Sequence, residues 1–338
     1  MITGGYAYTY PSDQIPRDEL TEVVELVKTN CPAPSFGRLP SRRDGGVGTM
    51  FGNVPVLCGG IGDETSLLDC ISFKNSQWSQ SHSMNEIRDY TSGVQINSTT
   101  FWILGGGHPS ESTDSTEFII QGQTNGIPGP KLPNSLYLTC VVKLSDEEIF
   151  VIGGEGSENE VWIYNPKNEF SRNQGLSLKY GRSAHSCSTM RDGEKTFIVV
   201  AGGWNENYYM TDSVEIYDPD DNTWHTGTKK SYKSHTKKTP FKIHLFQSSN
   251  KTKNNRICLL FGITGPSLPY FGLLNSAMAE SYDGKGVLLF SGQSYATSES
   301  HFLYTDKILE LRIGANSWNV LNITLQSARE NHIVLPLS

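Results

Sequence analysis

Along the chain, short runs of apolar and β-branched residues repeatedly end in a pair of glycines. The runs are MITGG (1–5), VPVLCGG (54–60), FWILGGG (101–107), IFVIGGE (149–155) and FIVVAGGW (197–204), with a weaker copy, GVLLFSGQ, at 286–293. With Gly5, Gly60, Gly106, Gly154, Gly203 and Gly292 as markers, the spacings are 55, 46, 48, 49 and 89 residues. A period near 50 is the mark of a repeat architecture, in which each unit buries its apolar face against the next.

A second pattern follows most of the glycine pairs. Apolar and polar residues alternate, a turn follows, and an aromatic closes the unit: CISFKNSQW (70–78), VWIYNPKNEF (161–170), VEIYDPDDNTW (214–224) and ILELRIGANSW (308–318). Alternation of period two predicts a strand buried on at least one face. Asn-Pro or Asp-Pro then ends the strand, because proline cannot donate to a ladder. Trp78, Phe170, Trp224 and Trp318 occupy equivalent places, which predicts packing between neighbouring repeats. A third pattern precedes the pairs. RSAHSCSTMRDGEKTFIVVAGG (182–203) reads as strand, tight turn, strand, so each repeat is expected to hold about four antiparallel strands.

These motifs resemble the kelch repeat. The residues that carry the resemblance are the glycine pairs (Gly59 and Gly60, Gly105 and Gly106, Gly153 and Gly154, Gly202 and Gly203), the tyrosines of IYNP and IYDP (Tyr164 and Tyr217), and Trp78, Trp224 and Trp318. The resemblance, in particular to secreted-type kelch proteins of invertebrates, implies an all-β fold: a single β-propeller over 1–338 with six four-stranded blades. The third repeat lacks the tryptophan, and the sixth has Ser291-Gly292 in place of the pair. The first repeat begins inside its second strand. The C-terminal ARENHIVLPLS (328–338) matches the opening of an innermost strand, since Arg329 and His332 are spaced like Arg182 and His185. It is expected to complete the first blade and remove two open sheet edges.

The interval of 89 residues is too long for one repeat and too short for two. Excising 228–265 leaves WHTGPSLP and restores a spacing of 51. That segment holds eight lysines, one arginine and no acid, so the remainder carries 19 basic and 35 acidic residues, a formal −16 against −7 for the whole chain. It reads as a basic insertion between blades five and six, either a solvated loop or non-native peptide. A degenerate seventh blade and a polyanion-binding arm are the alternatives.

The acidic balance gives no case for nucleic acid, and no apolar run approaches the ~20 residues of a membrane-spanning helix. The N-terminus does not read as a signal peptide, and a truncated N-terminus is one explanation. Cys58 and Cys70 are the candidate disulfide, while Cys140 and Cys187 read as small buried residues within strands. Sequons at Asn97, Asn250 and Asn322 add to a picture of a secretory or extracellular glycoprotein, with a cytoplasmic location as the alternative.

No sequence motif for a catalytic nucleophile, metal centre or phosphate loop is found, so no cofactor and no metal are expected. Arg43, Arg88, Arg182 and Arg329 each precede an innermost strand. With His185 and His332 they are the candidate ligand-binding residues at one mouth of the central channel, where arginines would bind an acidic peptide or a carboxylated sugar. The alternative role for each arginine is bonding carbonyls of its own interblade loop. The functional expectation is a non-catalytic, monomeric scaffold for an unknown protein partner. The alternative is a carbohydrate-active or lectin-like propeller, similar to sialic-acid mutarotases, using the Arg- and His-lined mouth.

Overall fold

A computed structural model describes residues 2–3, 6–7, 21–22, 36–63, 65–107, 112–167, 169–172, 176–226, 268–269, 273, 275–295, 302–325, 329–330 and 332–335. The described residues form strands and no helix longer than a single turn. Near the N-terminus lie β1 (Ile2–Thr3), β2 (Tyr6–Ala7) and β3 (Thr21–Glu22). Blade I is β4 (Val47–Phe51), β5 (Val54–Cys58), β6 (Asp69–Lys74) and β7 (Gln77–Ser83). Blade II is β8 (Ser92–Asn97), β9 (Thr100–Leu104), β10 (Thr116–Ile120) and β11 (Ile127–Pro128). Blade III is β12 (Cys140–Ser145), β13 (Glu148–Ile152), β14 (Val161–Asn165) and β15 (Glu169–Arg172). Blade IV is β16 (Ser186–Asp192), β17 (Lys195–Ala201), β18 (Val214–Asp218) and β19 (Thr223–Thr226). Blade V is β20 (Ala277–Glu280), β21 (Gly286–Tyr295), β22 (Phe302–Arg312) and β23 (Asn319–Thr324), and the chain ends with β24 (Arg329–Glu330) and β25 (Ile333–Val334). Every blade is an antiparallel meander in chain order.

Strand composition sets radial position. The second strands are near-continuous apolar runs, and Phe197 to Ala201 are all buried, because both faces meet a neighbouring blade. The outermost β15 is largely exposed and β19 is half-buried, and neither has a fully buried residue. The core is therefore a series of layers between blades. Val199, Ala201 and Ile216 of blade IV pack on Val287, Leu289 and Leu309 of blade V. Phe150 and Ile152 of blade III pack on Ile198 and Val200 of blade IV. Leu57 and Ile71 of blade I pack on Ile333 and Leu335 near the C-terminus.

The blade count corrects the sequence expectation: the described residues form five four-stranded blades, not six. The first repeat instead contributes to a three-stranded sheet in the order β25-β1-β3, while β2 pairs with β24. Within that sheet the C-terminal strand does pair with the N-terminal one, with Ile2 opposite Val334 and Thr3 opposite Ile333. The first repeat also differs from the others in sequence. Between Tyr10 and Phe36 there is no aromatic to close a strand–turn–aromatic unit of the kind that supplies strands three and four elsewhere. The basic segment 228–265 lies outside the described residues.

Candidate functional site

The arginines are the first candidates to place. Arg43, Arg88 and Arg182 are enclosed within the protein, at 1%, 1% and 0% exposure. Each guanidinium caps the second and third strands of the blade it introduces. Arg182 donates to the Gly202 carbonyl at 2.8 Å, to the Ser213 carbonyl and hydroxyl, and to the Glu215 carboxylate at 2.8 Å. Arg88 donates to the Gly105 carbonyl at 2.7 Å, to Ser115 and to Glu117 at 2.8 Å. Arg43 reaches the Gly59 carbonyl and grips Asp69 through both carboxylate oxygens at 2.7 and 2.8 Å. Burial lowers the Arg182 pKa, and the facing Glu215 charge opposes it.

The carboxylates are as fully engaged as the arginines. Glu215 also accepts the backbone N–H groups of Lys179 and Tyr180, and Glu117 that of Asn85. The guanidinium donors of Arg88 and Arg182 are bonded within the fold, as are those of Arg43 apart from its Nε, which has no partner among the described residues, so the enclosure of these side chains favours the structural role over ligand binding. Arg329 is described only through its backbone, opposite Ala7.

The same arginines tie adjacent blades through their backbone. Gly60 N–H donates to the Arg88 carbonyl at 2.8 Å, and Gly154 N–H to the Arg182 carbonyl at 3.0 Å. Leucine serves in two other blades: Gly106 N–H bonds the Leu136 carbonyl and Gly203 N–H the Leu273 carbonyl. This close approach is why the first glycine of each pair is required. A Cβ on Gly59 would sit 2.3 Å from the Arg88 carbonyl oxygen, and one on Gly202 2.3 Å from that of Leu273.

One residue pattern was missed in the sequence. Tyr90, Leu138, Ala184 and Asn275 share a left-handed backbone, with φ between 44° and 54°. They form a belt in which Leu138 N–H bonds the Tyr90 carbonyl, Ala184 N–H that of Leu138, and Asn275 N–H that of Ala184. Only Asn is a common residue for that conformation, so the side chains gave little signal.

Histidines and aromatics play internal parts. His185 and His332 are both buried. Burial, reinforced by the Arg182 charge, pushes His185 down to about 3, against a pull from the Ile152 carbonyl. Its repeat equivalents, Thr91 and Thr139, bond the carbonyls of Leu104 and Ile152 at 2.9 Å. Tyr217 packs against Phe150 of blade III, and Tyr164 against Trp102 of blade II. The indole N–H groups of Trp78 and Trp224 donate to the Phe36 and Leu176 carbonyls at 2.8 and 2.7 Å, and Trp318 is buried between blades IV and V.

Two cysteine pairs lie at disulfide-bonding distance. Cys58 and Cys70 face each other in register on β5 and β6, with Cα atoms 4.0 Å apart. Cys140 and Cys187 join β12 to β16 with Cα atoms 6.0 Å apart, so they are partners rather than isolated buried residues. Innermost strands of adjacent blades converge, and residues one repeat apart come face to face; the separation of 47 residues was the available signal. Cys31 and Cys258 lie outside the described residues, as does the sequon at Asn250; Asn97 and Asn322 are exposed.

The loops divide between two faces. Loops joining second to third strands share a face with the connections between blades, and here side chains are displayed. Tyr208 and Tyr209, at 67% and 70% exposure, crown the loop between β17 and β18. Glu155 of blade III accepts the Tyr208 hydroxyl at 2.8 Å and the Ser183 hydroxyl at 3.2 Å. On the opposite face Asp218, Asp221 and His225 bring potential metal-ligating atoms within 4.8 Å of one another, an arrangement the sequence reading did not find. Lys195 already offsets Asp218 and Asp220 there. An adjoining cleft of about 400 Å³ is lined by Leu144, Glu194, Lys195, Thr196, Pro219 and Asp220. No helix among the described residues is long and apolar enough to cross a membrane.

Comparison with known proteins matches one region. Residues 198–231, running from β17 through β19 and beyond, match the family model of the kelch motif. No curated protein matches the chain.

Proposed function

We propose that this propeller, one region of which matches the kelch motif, is a non-enzymatic scaffold that binds a protein partner through its exposed loops, as kelch propellers generally do. The observation that carries this reading is the division of labour among side chains. The groups with the chemistry to act on a small ligand, Arg43, Arg88, Arg182 and His185, are enclosed and serve the fold. The β17–β18 loop presents the aromatic side chains of Tyr208 and Tyr209 to solvent, as interaction surfaces do. The mutarotase-like alternative relied on an open Arg- and His-lined mouth and is not carried further.

The test is selection. A random dodecapeptide library is panned against the folded chain, with the heat-unfolded chain as the counter-selection. Enriched peptides that compete with one another for one face support the scaffold reading; no enrichment over the unfolded chain overturns it. Two accompanying proposals rest on other observations. The period of the glycine pairs supports 228–265 as an insertion, so its deletion is expected to leave cooperative unfolding intact. Two cysteine pairs at bonding distance favour an oxidising compartment for the native protein.

A further inference from the structure

The loop from Trp204 to Asp212 is held by its own hydrogen bonds. The Asn205 side chain accepts the N–H groups of Asn207 and Tyr209, and the Asn205 and Tyr209 backbones bond each other at 2.9 Å. Tyr208 sits at its tip with φ 56°. The loop therefore shows two tyrosines in a fixed geometry, and a partner that binds them orders little that is not already ordered. Tyrosine is among the residues enriched at interaction hot spots.

The surroundings are acidic. Glu155 and Glu158 come from the corresponding loop of blade III, and Glu206 from the tyrosine loop itself. None of the three forms an ion pair among the described residues, whereas nearby Glu160 is paired with Arg172. Glu155 is bonded to Tyr208 and Ser183, and its backbone N–H to the Tyr137 carbonyl, which brings the two blades' loops together. The hydroxyls of Tyr137 and Tyr208 have raised pKa values: Tyr137 chiefly through burial and Tyr208 chiefly through its bond to Glu155, with Glu155 and Glu158 charge adding in both. The neighbouring arginine, Arg182, is enclosed and paired with Glu215, so it does not neutralise this surface.

We propose that Tyr208, Tyr209, Glu155, Glu158 and Glu206 form a docking surface for a lysine- and arginine-rich segment of a partner protein. The carboxylates attract the cations and the tyrosine faces receive them through cation–π contact. The proposal rests on the scaffold reading above and gives it a face and a partner chemistry. A lone electrostatic attraction would not need the tyrosines, and a lone aromatic contact would not need the acids; both are required here.

The probe is a fluorescein-labelled dodecapeptide alternating arginine and lysine with glycine and serine, followed by fluorescence anisotropy with the full chain. Its counterpart with glutamate at the charged positions is the control. Saturable binding of the basic peptide alone is expected. It should weaken at least tenfold in Glu155→Gln/Glu158→Gln/Glu206→Gln and likewise in Tyr208→Ser/Tyr209→Ser. A charge-matched control on the opposite face, Glu147→Gln/Asp192→Asn/Glu194→Gln, should stay within twofold. Equal weakening in that control, no effect of the tyrosine pair, or no saturable binding overturns the proposal. Both tyrosines are exposed, so their replacement leaves the core intact. The library separates the two failures: enriched peptides that are not basic and ignore these variants sink this surface while the scaffold reading stands. An empty selection sinks both.

Discussion

Blades III and IV fill the same position with opposite chemistry. In blade IV, Arg182 lies beneath the strand ends and meets Glu215 on the third strand. In blade III the equivalent residues are Leu136, fully buried, and Trp162, packed against the same cluster. Both blades deliver the same backbone bond, because the Arg182 carbonyl receives Gly154 N–H and the Leu136 carbonyl receives Gly106 N–H. The comparison teaches that the backbone contact is the invariant of the repeat. The side chain beneath must only fill the space and leave no polar group unmatched. An arginine that leucine can replace, together with its partner, is a structural arginine.

The largest expected effect comes from mixing the two solutions. Arg182→Leu leaves Glu215 buried with two backbone N–H donors and no cation. Equilibrium denaturation should show a loss of about 3–5 kcal/mol, the usual result of orphaning one member of a buried pair. The bond joining the two blades comes next. Replacing Cys140 and Cys187 by alanine opens a loop of 47 residues and should lower stability by about 4 kcal/mol on chain-entropy grounds. Replacing Cys58 and Cys70, 12 residues apart, should lower it by about 3 kcal/mol. Thermal unfolding with and without reductant checks both.

A smaller difference separates the blades in acid. His185 in blade IV stands where blade III has Thr139. Its folded pKa of about 3 lies below the ordinary 6.5, so the unfolded chain binds the extra proton. The stability tied to the neutral ring is complete above pH 6.5 and is lost as pH falls towards 3, at no more than about 1.4 kcal/mol per pH unit. His185→Thr should flatten the difference between denaturation curves at pH 7 and pH 5; an unchanged slope would show that other groups govern it. The smallest effect is at the outer rim. Trp224→Phe removes the bond to Leu176 and should cost about 1 kcal/mol, while Phe170, its blade III equivalent, already lacks an N–H donor.

Much of this was legible in the sequence, and the misses have physical causes. The glycine pairs, Tyr164, Tyr217 and the tryptophans marked the blades because each side chain has one task in every copy. The first repeat misled the count: MITGG carries the inner signature, but 11–35 lack the aromatic that closes a blade. Arg43, Arg88 and Arg182 stand just before the first strands of their blades, a position legible from the repeat spacing. The sequence did not reveal that Asp69, Glu117 and Glu215, on the third strand of the same blade, are their partners. The belt through Tyr90, Leu138, Ala184 and Asn275 is made by backbone alone and left no compositional trace. Tyr208 and Tyr209 sit in a loop that the repeat pattern does not constrain, so nothing in the periodicity singled them out.

The interchange of the two solutions can be measured directly by a double-mutant cycle on blade IV. Stabilities of the parent, Arg182→Leu, Glu215→Leu and the double variant are compared by urea denaturation. If the pair is a structural unit equivalent to the apolar one in blade III, each single variant loses about 3–5 kcal/mol and the double variant recovers most of the loss. A double variant destabilised by the sum of the two single losses would contradict that equivalence.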